Sequence, residues 1–260
     1  MNNPIYNSIG QSYNKYRRAD ARITRAMIEL MGLRASATIA DVGAGTGNYS
    51  RALAGEGYNV IAVEPSDTMM AQASPHENVK WTYGVAENIP LADASVDGVV
   101  AVLTSHHFTS QTKAIIEMSR ICPAGPIVWF TCDHREAKDP WFKDYFPEIW
   151  YETYKTLPPI REVRQTIKEA SGRNVEIVTF LTPHDLEDQF MTAGWRRPEI
   201  YLDEDARKCT SGFALAEEVE TNRGLERLSA DLDNGAWKAR YGNILDKDTI
   251  DWGLRFLVVR

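Results

Sequence analysis

The sequence predicts an α/β fold: an open, mostly parallel sheet of seven strands with helices on both faces, plus helical insertions. Three observations carry this reading. A short apolar run, Thr38-Ile39-Ala40-Asp41-Val42, enters a loop of alternating glycines, Gly43-Ala44-Gly45-Thr46-Gly47, and a helical pattern follows. Strand-like and helix-like segments then alternate as far as Thr131. Finally, Gly98-Val-Val-Ala-Val-Leu103 is an unbroken apolar run after Asp97, as a strand buried on both faces requires.

The elements follow in order. Residues 5–31 read as a short helical entry and a longer helix: Ile9, Tyr13 and Tyr16 recur at helical spacing, Ile23, Met27 and Leu30 continue the stripe, and Gly32 ends it. Strand one (38–42) leads to a helix at 48–55 and strand two (59–64). Pro65-Ser66-Asp67 opens another helix, with Ser66 or Asp67 as its cap. Strand three is Val79–Tyr83, strand four 97–103, and a helix at about 110–121 precedes strand five, Ile127–Thr131. Residues 139–170 are helical and crowded with aromatics. Thr182-Pro183 reads as a helix start running to Gly194, followed by a strand at 198–203, helical structure at 211–240 and a last strand at 254–259.

The 260 residues suffice for one such domain with a sizeable core. With 43% hydrophobic and 25% charged residues the composition is that of a soluble globular protein. A net charge of −7 argues against nucleic acid as a partner. No apolar run approaches membrane-span length, and the polar N-terminal stretch does not resemble a signal peptide, so no membrane partner is expected. Cys122, Cys132 and Cys209 have no zinc-like spacing and leave one thiol over in any disulfide scheme. The expected location is cytoplasmic.

The glycine loop points to a ligand. Its spacing is G-x-G-x-G, and Asn48 stands where the dinucleotide fingerprint needs its third glycine, which disfavours a nicotinamide cofactor. Asp41, just before the loop, suits a ligand carrying an ammonium group better than a diphosphate. Glu64, at the end of strand two, can accept both hydroxyls of a ribose.

Asp41-Val-Gly-Ala-Gly-Thr-Gly47 and Glu64, with Gly84-Val-Ala-Glu-Asn-Ile-Pro90 and Val102-Leu-Thr-Ser-His-His-Phe108, make the sequence resemble the class I S-adenosylmethionine (SAM)-dependent methyltransferases. The likeness is to the small-molecule branch that includes the ubiquinone/menaquinone-biosynthesis enzymes, and it is strongest over residues 36–132. It implies a Rossmann-like domain over 1–260: a helical cap at about 1–34, a SAM-binding core at 36–134, and insertions at 139–170 and 211–240 forming a substrate lid. The last strand would run antiparallel between strands five and six. The cofactor would be SAM, released as S-adenosylhomocysteine (SAH), and the partner a small-molecule methyl acceptor.

The residues that the resemblance assigns to SAM are Asp41, Gly43, Ala44, Gly45, Gly47, Glu64, Pro65, Met69, Ala86, Glu87 and Thr104, with Arg17 toward the methionine carboxylate. Val85 departs from the usual Asp-Ala-Glu of the adenine loop and leaves its polar work to Glu87 or a backbone carbonyl. Tyr13, His107, Asp133, His134, Trp141 and Tyr145 are the candidates for the acceptor, with most lid aromatics serving packing. His106 is the candidate base, its alternative role being to shape the pocket; no base is needed if the acceptor is already deprotonated. A metal site is not expected, since His106, His107, His134 and Asp133 lack a ligand spacing. A SAM-using enzyme of other chemistry and a SAM-binding scaffold share the same cofactor residues. An enclosed acceptor cavity would favour an enzyme over a scaffold.

Overall fold

The computed structural model describes residues 13–260 and contains seven principal strands: β1 (Thr38–Val42), β2 (Asn59–Glu64), β3 (Val79–Tyr83), β4 (Gly98–Val102), β5 (Ile127–Cys132), β6 (Val175–Thr179) and β7 (Leu254–Val259). They form one sheet in the order β3-β2-β1-β4-β5-β7-β6. The first five pair in parallel, with Thr38 opposite Asn59 and Ile39 opposite Gly98. β7 runs antiparallel to both neighbours, so that Val259 lies opposite Ile127 on one side and Val175 on the other.

Successive strand residues serve opposite faces, as the two-residue period demands. Ala40, Val99, Trp129 and Leu257 join the core under α3 (Gln111–Ile121) and α5 (Ile160–Ser171). Their neighbours Ile39, Val100, Phe130 and Phe256 join the opposite core, with Ile23, Met27 and Met31 of α1 (Ala21–Met31). Asp20 starts α1 by accepting from Arg22 N at 2.9 Å, and Gly32 closes it in the left-handed conformation, φ +61°. α2 (Asn48–Gly55) follows the glycine loop. The part of the expected N-terminal helix before residue 13 lies outside the described residues, as does the side chain of Tyr13.

A third core is mostly aromatic. Trp141, Phe142, Tyr145, Phe146 and Trp150, from a helical turn and α4 (Pro147–Thr156), pack with Tyr201, Trp237 and Trp252. Trp141 meets Tyr201 and Trp237 edge-on, at centroid distances of 5.6 and 5.5 Å, a geometry that aligns ring edges with ring faces.

The expected elements after residue 171 need correction. The sixth strand is Val175–Thr179, not 198–203; the latter is a 3-10 turn from Pro198 to Leu202. Residues 182–194 are not a helix. Thr182–Pro183 pairs with Thr249–Ile250, and turns follow. The backbone donors here are taken by distant partners: His184 N by Asp248 O, Glu187 N by the Asp20 carboxylate, and Gln189 N by Tyr16 O. Tertiary hydrogen bonds therefore displace the helical ladder that the cap signal favours. The 211–240 region divides into Ser211–Leu215, α6 (Glu218–Asp233) and Ala236–Tyr241, the last break falling at Gly235 with φ +79°.

Candidate functional site

A cleft of about 500 Å³ opens at the carboxyl ends of β1, β2 and β4, where open α/β sheets hold ligands. The glycine loop is its floor. Gly43 has φ +75°, and a Cβ on it would strike the Thr104 hydroxyl, so only glycine lets the loop lie against the end of β4. Gly45 N–H donates to Glu64 Oε2 at 2.8 Å, and Ser66 N–H donates to Oε1 at 3.0 Å. Two backbone donors thus aim the carboxylate, and each oxygen keeps lone-pair capacity for a ligand. Burial raises the Glu64 pKa, which these two hydrogen bonds oppose.

Gly43, Ala44, Gly45, Glu64, Pro65, Met69, Ala86, Glu87, Thr104 and Arg17 all line this cleft. Asp41 and Gly47 do not line it. Asp41 lies beneath the loop, where its Oδ2 accepts from Ser50 Oγ at 2.6 Å. Desolvation pushes its carboxyl up to about 6, against the Ser50 hydrogen bond and with help from the nearby Glu64 charge. Gly47 begins α2 at φ +75° with the Trp81 ring packed where a Cβ would stand. Glu87 lines the cleft, yet its Oε1 accepts from Thr109 Oγ1 and Ser110 N, both at 3.0 Å, and so also fastens the loop that starts α3.

A second cavity, about 850 Å³, lies between the sheet end and α4. Its inner wall carries His106, His107, Thr131, Cys132 and His134. Arg17, Leu103 and His107 line both cavities and form the partition. Leu103 sits there at φ +49°, a strained value for a branched residue, held by its N–H bond to Phe130 O at 2.8 Å. Arg17 Nε donates to the buried Asp188 Oδ1 at 2.5 Å, while Tyr49 OH donates to Oδ2 at 3.0 Å.

Burial lowers all three imidazole pKa values: His106 well below the usual range, His107 and His134 to about 4. The rings are therefore neutral near pH 7. His134 Nδ1 shares a 3.1 Å hydrogen bond with Thr153 Oγ1, and its ring stacks on Trp150 at 4.5 Å. No hydrogen bond from the described residues engages the His106 ring, which meets His107 at a centroid distance of 3.8 Å.

Three acceptor candidates, Asp133, Trp141 and Tyr145, line neither cavity. Asp133 is 2% exposed; Oδ1 takes Arg135 and Oδ2 takes Ile160 N at 2.8 Å, so the carboxylate joins the end of β5 to the start of α5. Trp141 and Tyr145 belong to the aromatic core and line neither cavity. Trp141 Nε1 donates to Trp195 O at 2.7 Å and Tyr145 OH to Asp231 Oδ2 at 2.7 Å. Sequence reasoning missed Asp188, which sits in no motif, and Leu103, which lies inside the Val102–Phe108 motif without being singled out. Asn48 had a signal: it replaces a fingerprint glycine, and its Nδ2 donates to Arg17 O at 2.5 Å. Among the described residues no group of His, Cys, Asp and Glu side chains could hold a metal ion, and no helix is long and apolar enough to cross a membrane.

Residues 40–130 match the family model of the methyltransferase domain. An uncharacterized methyltransferase of Mycobacterium tuberculosis is 30% identical over 190 residues, covering 70% of this chain and 74% of its own. The ubiquinone/menaquinone biosynthesis C-methyltransferase of Rubrivivax gelatinosus is 35% identical over 103 residues, 39% of this chain and 41% of its own. A crystal structure described as a methyltransferase from an antibiotic biosynthesis pathway of Anabaena variabilis superposes with a TM-score of 0.92. It is 46% identical, over 94% of this chain and 99% of its own.

Proposed function

The chain belongs to the class I SAM-dependent methyltransferases, and from that premise we propose that it methylates a small molecule held in the cavity beyond Leu103 and His107. The observation that carries this reading is the shared partition: a glycine-loop cleft and a second, larger cavity that is partly open to solvent meet at Arg17, Leu103 and His107. A scaffold protein would have no use for an 850 Å³ chamber at that place, and it would expose aromatics that here are buried in the third core. The Anabaena relative's described place in an antibiotic pathway also favours a biosynthetic small molecule as acceptor.

The residues present fit SAM. Glu64 would accept the ribose hydroxyls, the Gly43–Gly45 backbone would pass under the methionyl part, and Met69 and Ala86 would border the adenine. Arg17 supplies positive charge for a carboxylate, and Thr104 closes the floor. When bound, the cofactor supplies an electrophilic methyl group that needs no further activation.

The chain's own work is then alignment and exclusion of water. Leu103 fixes the partition, Arg17 spans it on Asp188, and α4 with the aromatic core roofs the chamber. Where the acceptor must lose a proton, His106 is the base: it lines the chamber, its ring is neutral, and its nitrogens are not consumed by described neighbours. Incubation with methyl-labelled SAM and a metabolite panel tests the proposal. Label in a small molecule supports it; label only in protein or nucleic acid would refute it.

A further inference from the structure

Resting on the methyl-transfer reading, we infer that the chamber selects an acceptor that is uncharged where it sits, with a hydroxyl or amine toward the imidazoles, and excludes phosphorylated and carboxylated molecules. The first ground is charge. An anion seated against the inner wall of this cavity, out of contact with water, needs a counter-cation, because burying an unpaired charge costs several kcal/mol. Among the described residues two cations line it. Arg17 is held by Asp188 at 2.5 Å and, on the methyl-transfer reading, faces the cofactor's carboxylate, while Lys155 pairs with Glu152 at 2.6 Å in the open at the mouth. Glu148, Glu152 and Glu217 all line the mouth and are exposed. Among the described residues, an approaching phosphate or carboxylate therefore meets three carboxylates and a single lysine at the mouth, and no unpaired cation beyond them.

The second ground is the inner wall. His106 is neutral and takes no hydrogen bond from the described residues, so its ring offers one donor and one acceptor, the complement of a hydroxyl or an uncharged amine, while His134 keeps Nδ1 on Thr153 and leaves Nε2 over. Ile149, Leu157, Phe190, Met191 and Leu254 supply apolar surface beside them. The carboxylates lie at the mouth and not among the imidazoles, so a fixed cation finds its partners only at the entrance. A volume of about 850 Å³ suits a bulky acceptor with an extended apolar body.

The test is calorimetry on the SAH-saturated protein at pH 7.5, with 2-naphthol, 2-naphthoate, 2-naphthyl phosphate and naphthylmethyl-trimethylammonium as probes. 2-Naphthol should bind at least about tenfold more tightly than each charged probe. The paired exposed substitutions Glu148→Lys and Glu217→Lys should strengthen naphthoate binding at least about threefold and leave naphthol unchanged. Cys132→Trp, which thrusts an indole ring beside the imidazoles, should weaken naphthol binding at least about tenfold while SAH still binds. A charged probe that equals or outranks naphthol overturns the inference, as does failure of naphthol to bind or its full retention by Cys132→Trp. Failure of SAH itself to bind would instead remove the methyl-transfer reading.

Discussion

Arg17 Nε and Asp188 Oδ1 lie 2.5 Å apart, joining segments 171 residues distant in sequence at the wall between cleft and chamber. Asp188 is 1% exposed and also takes Tyr49 OH, so its removal leaves a guanidinium without its anion and a phenol without its acceptor. Asp188→Asn keeps the shape and loses the charge. It should lower the melting temperature and weaken SAH binding by about tenfold, with breaking of such a pair costing on the order of 3 kcal/mol before discount for the part of Arg17 that solvent reaches. Thermal melts and calorimetry on the same samples check this; unchanged SAH affinity would mean that Arg17 does not face the ligand.

His106 offers a test that separates proton removal from pocket shape. His106→Asn should leave SAH affinity within about twofold and lower kcat by about 10²–10⁴ if transfer requires proton removal by that ring. Because burial and the neighbouring His107 depress the His106 pKa well below 6.5, the wild-type rate should be flat from pH 6.5 upward. Any acid limb belonging to this group falls below that pH. A variant that retains most of its kcat with the same pH profile would assign His106 to shaping the chamber.

Asp41 makes stability depend on pH. Its folded pKa of about 6 lies above the ordinary carboxyl value, so the folded state holds a proton that the unfolded chain has released. The contribution to stability is full below about pH 4 and is lost as pH rises through 6. Wild type should therefore lose about 2–3 kcal/mol relative to Asp41→Asn between pH 4 and pH 8. Denaturant melts at both pH values measure that difference, and a pH-independent gap would show that Asp41 ionises normally.

Much of the sheet was readable because its signals are local. Glycine alternation after an apolar run, Glu64 at a strand end and the unbroken 98–103 run each depend on a few adjacent residues. The departures have non-local causes. Thr182-Pro183-His184-Asp185 carries a proper cap signal, but Asp248 O, the Asp20 carboxylate and Tyr16 O claim the backbone donors of His184, Glu187 and Gln189. Val175–Thr179 is a short strand that gains its identity only from pairing with β7. Trp141 and Tyr145 look the same in sequence whether they face a ligand or a core, and their packing with Tyr201, Trp237 and Trp252 places them in the core. Asp188 lies in a turn with no motif, so its pairing with Arg17 has no local sign.

Glu64 is where the central claim meets its most direct test. Its carboxylate is aimed by Gly45 N–H and Ser66 N–H at the end of β2, and losing hydrogen bonds from a charged acceptor costs about 1.5–3 kcal/mol. The decisive measurement is a calorimetric titration of wild type and Glu64→Ala with SAH, with NAD as the control ligand. The account predicts one SAH per chain, affinity at least about tenfold weaker in Glu64→Ala, and no heat from NAD. Equal SAH affinity in the two proteins, or NAD binding without SAH binding, would contradict it.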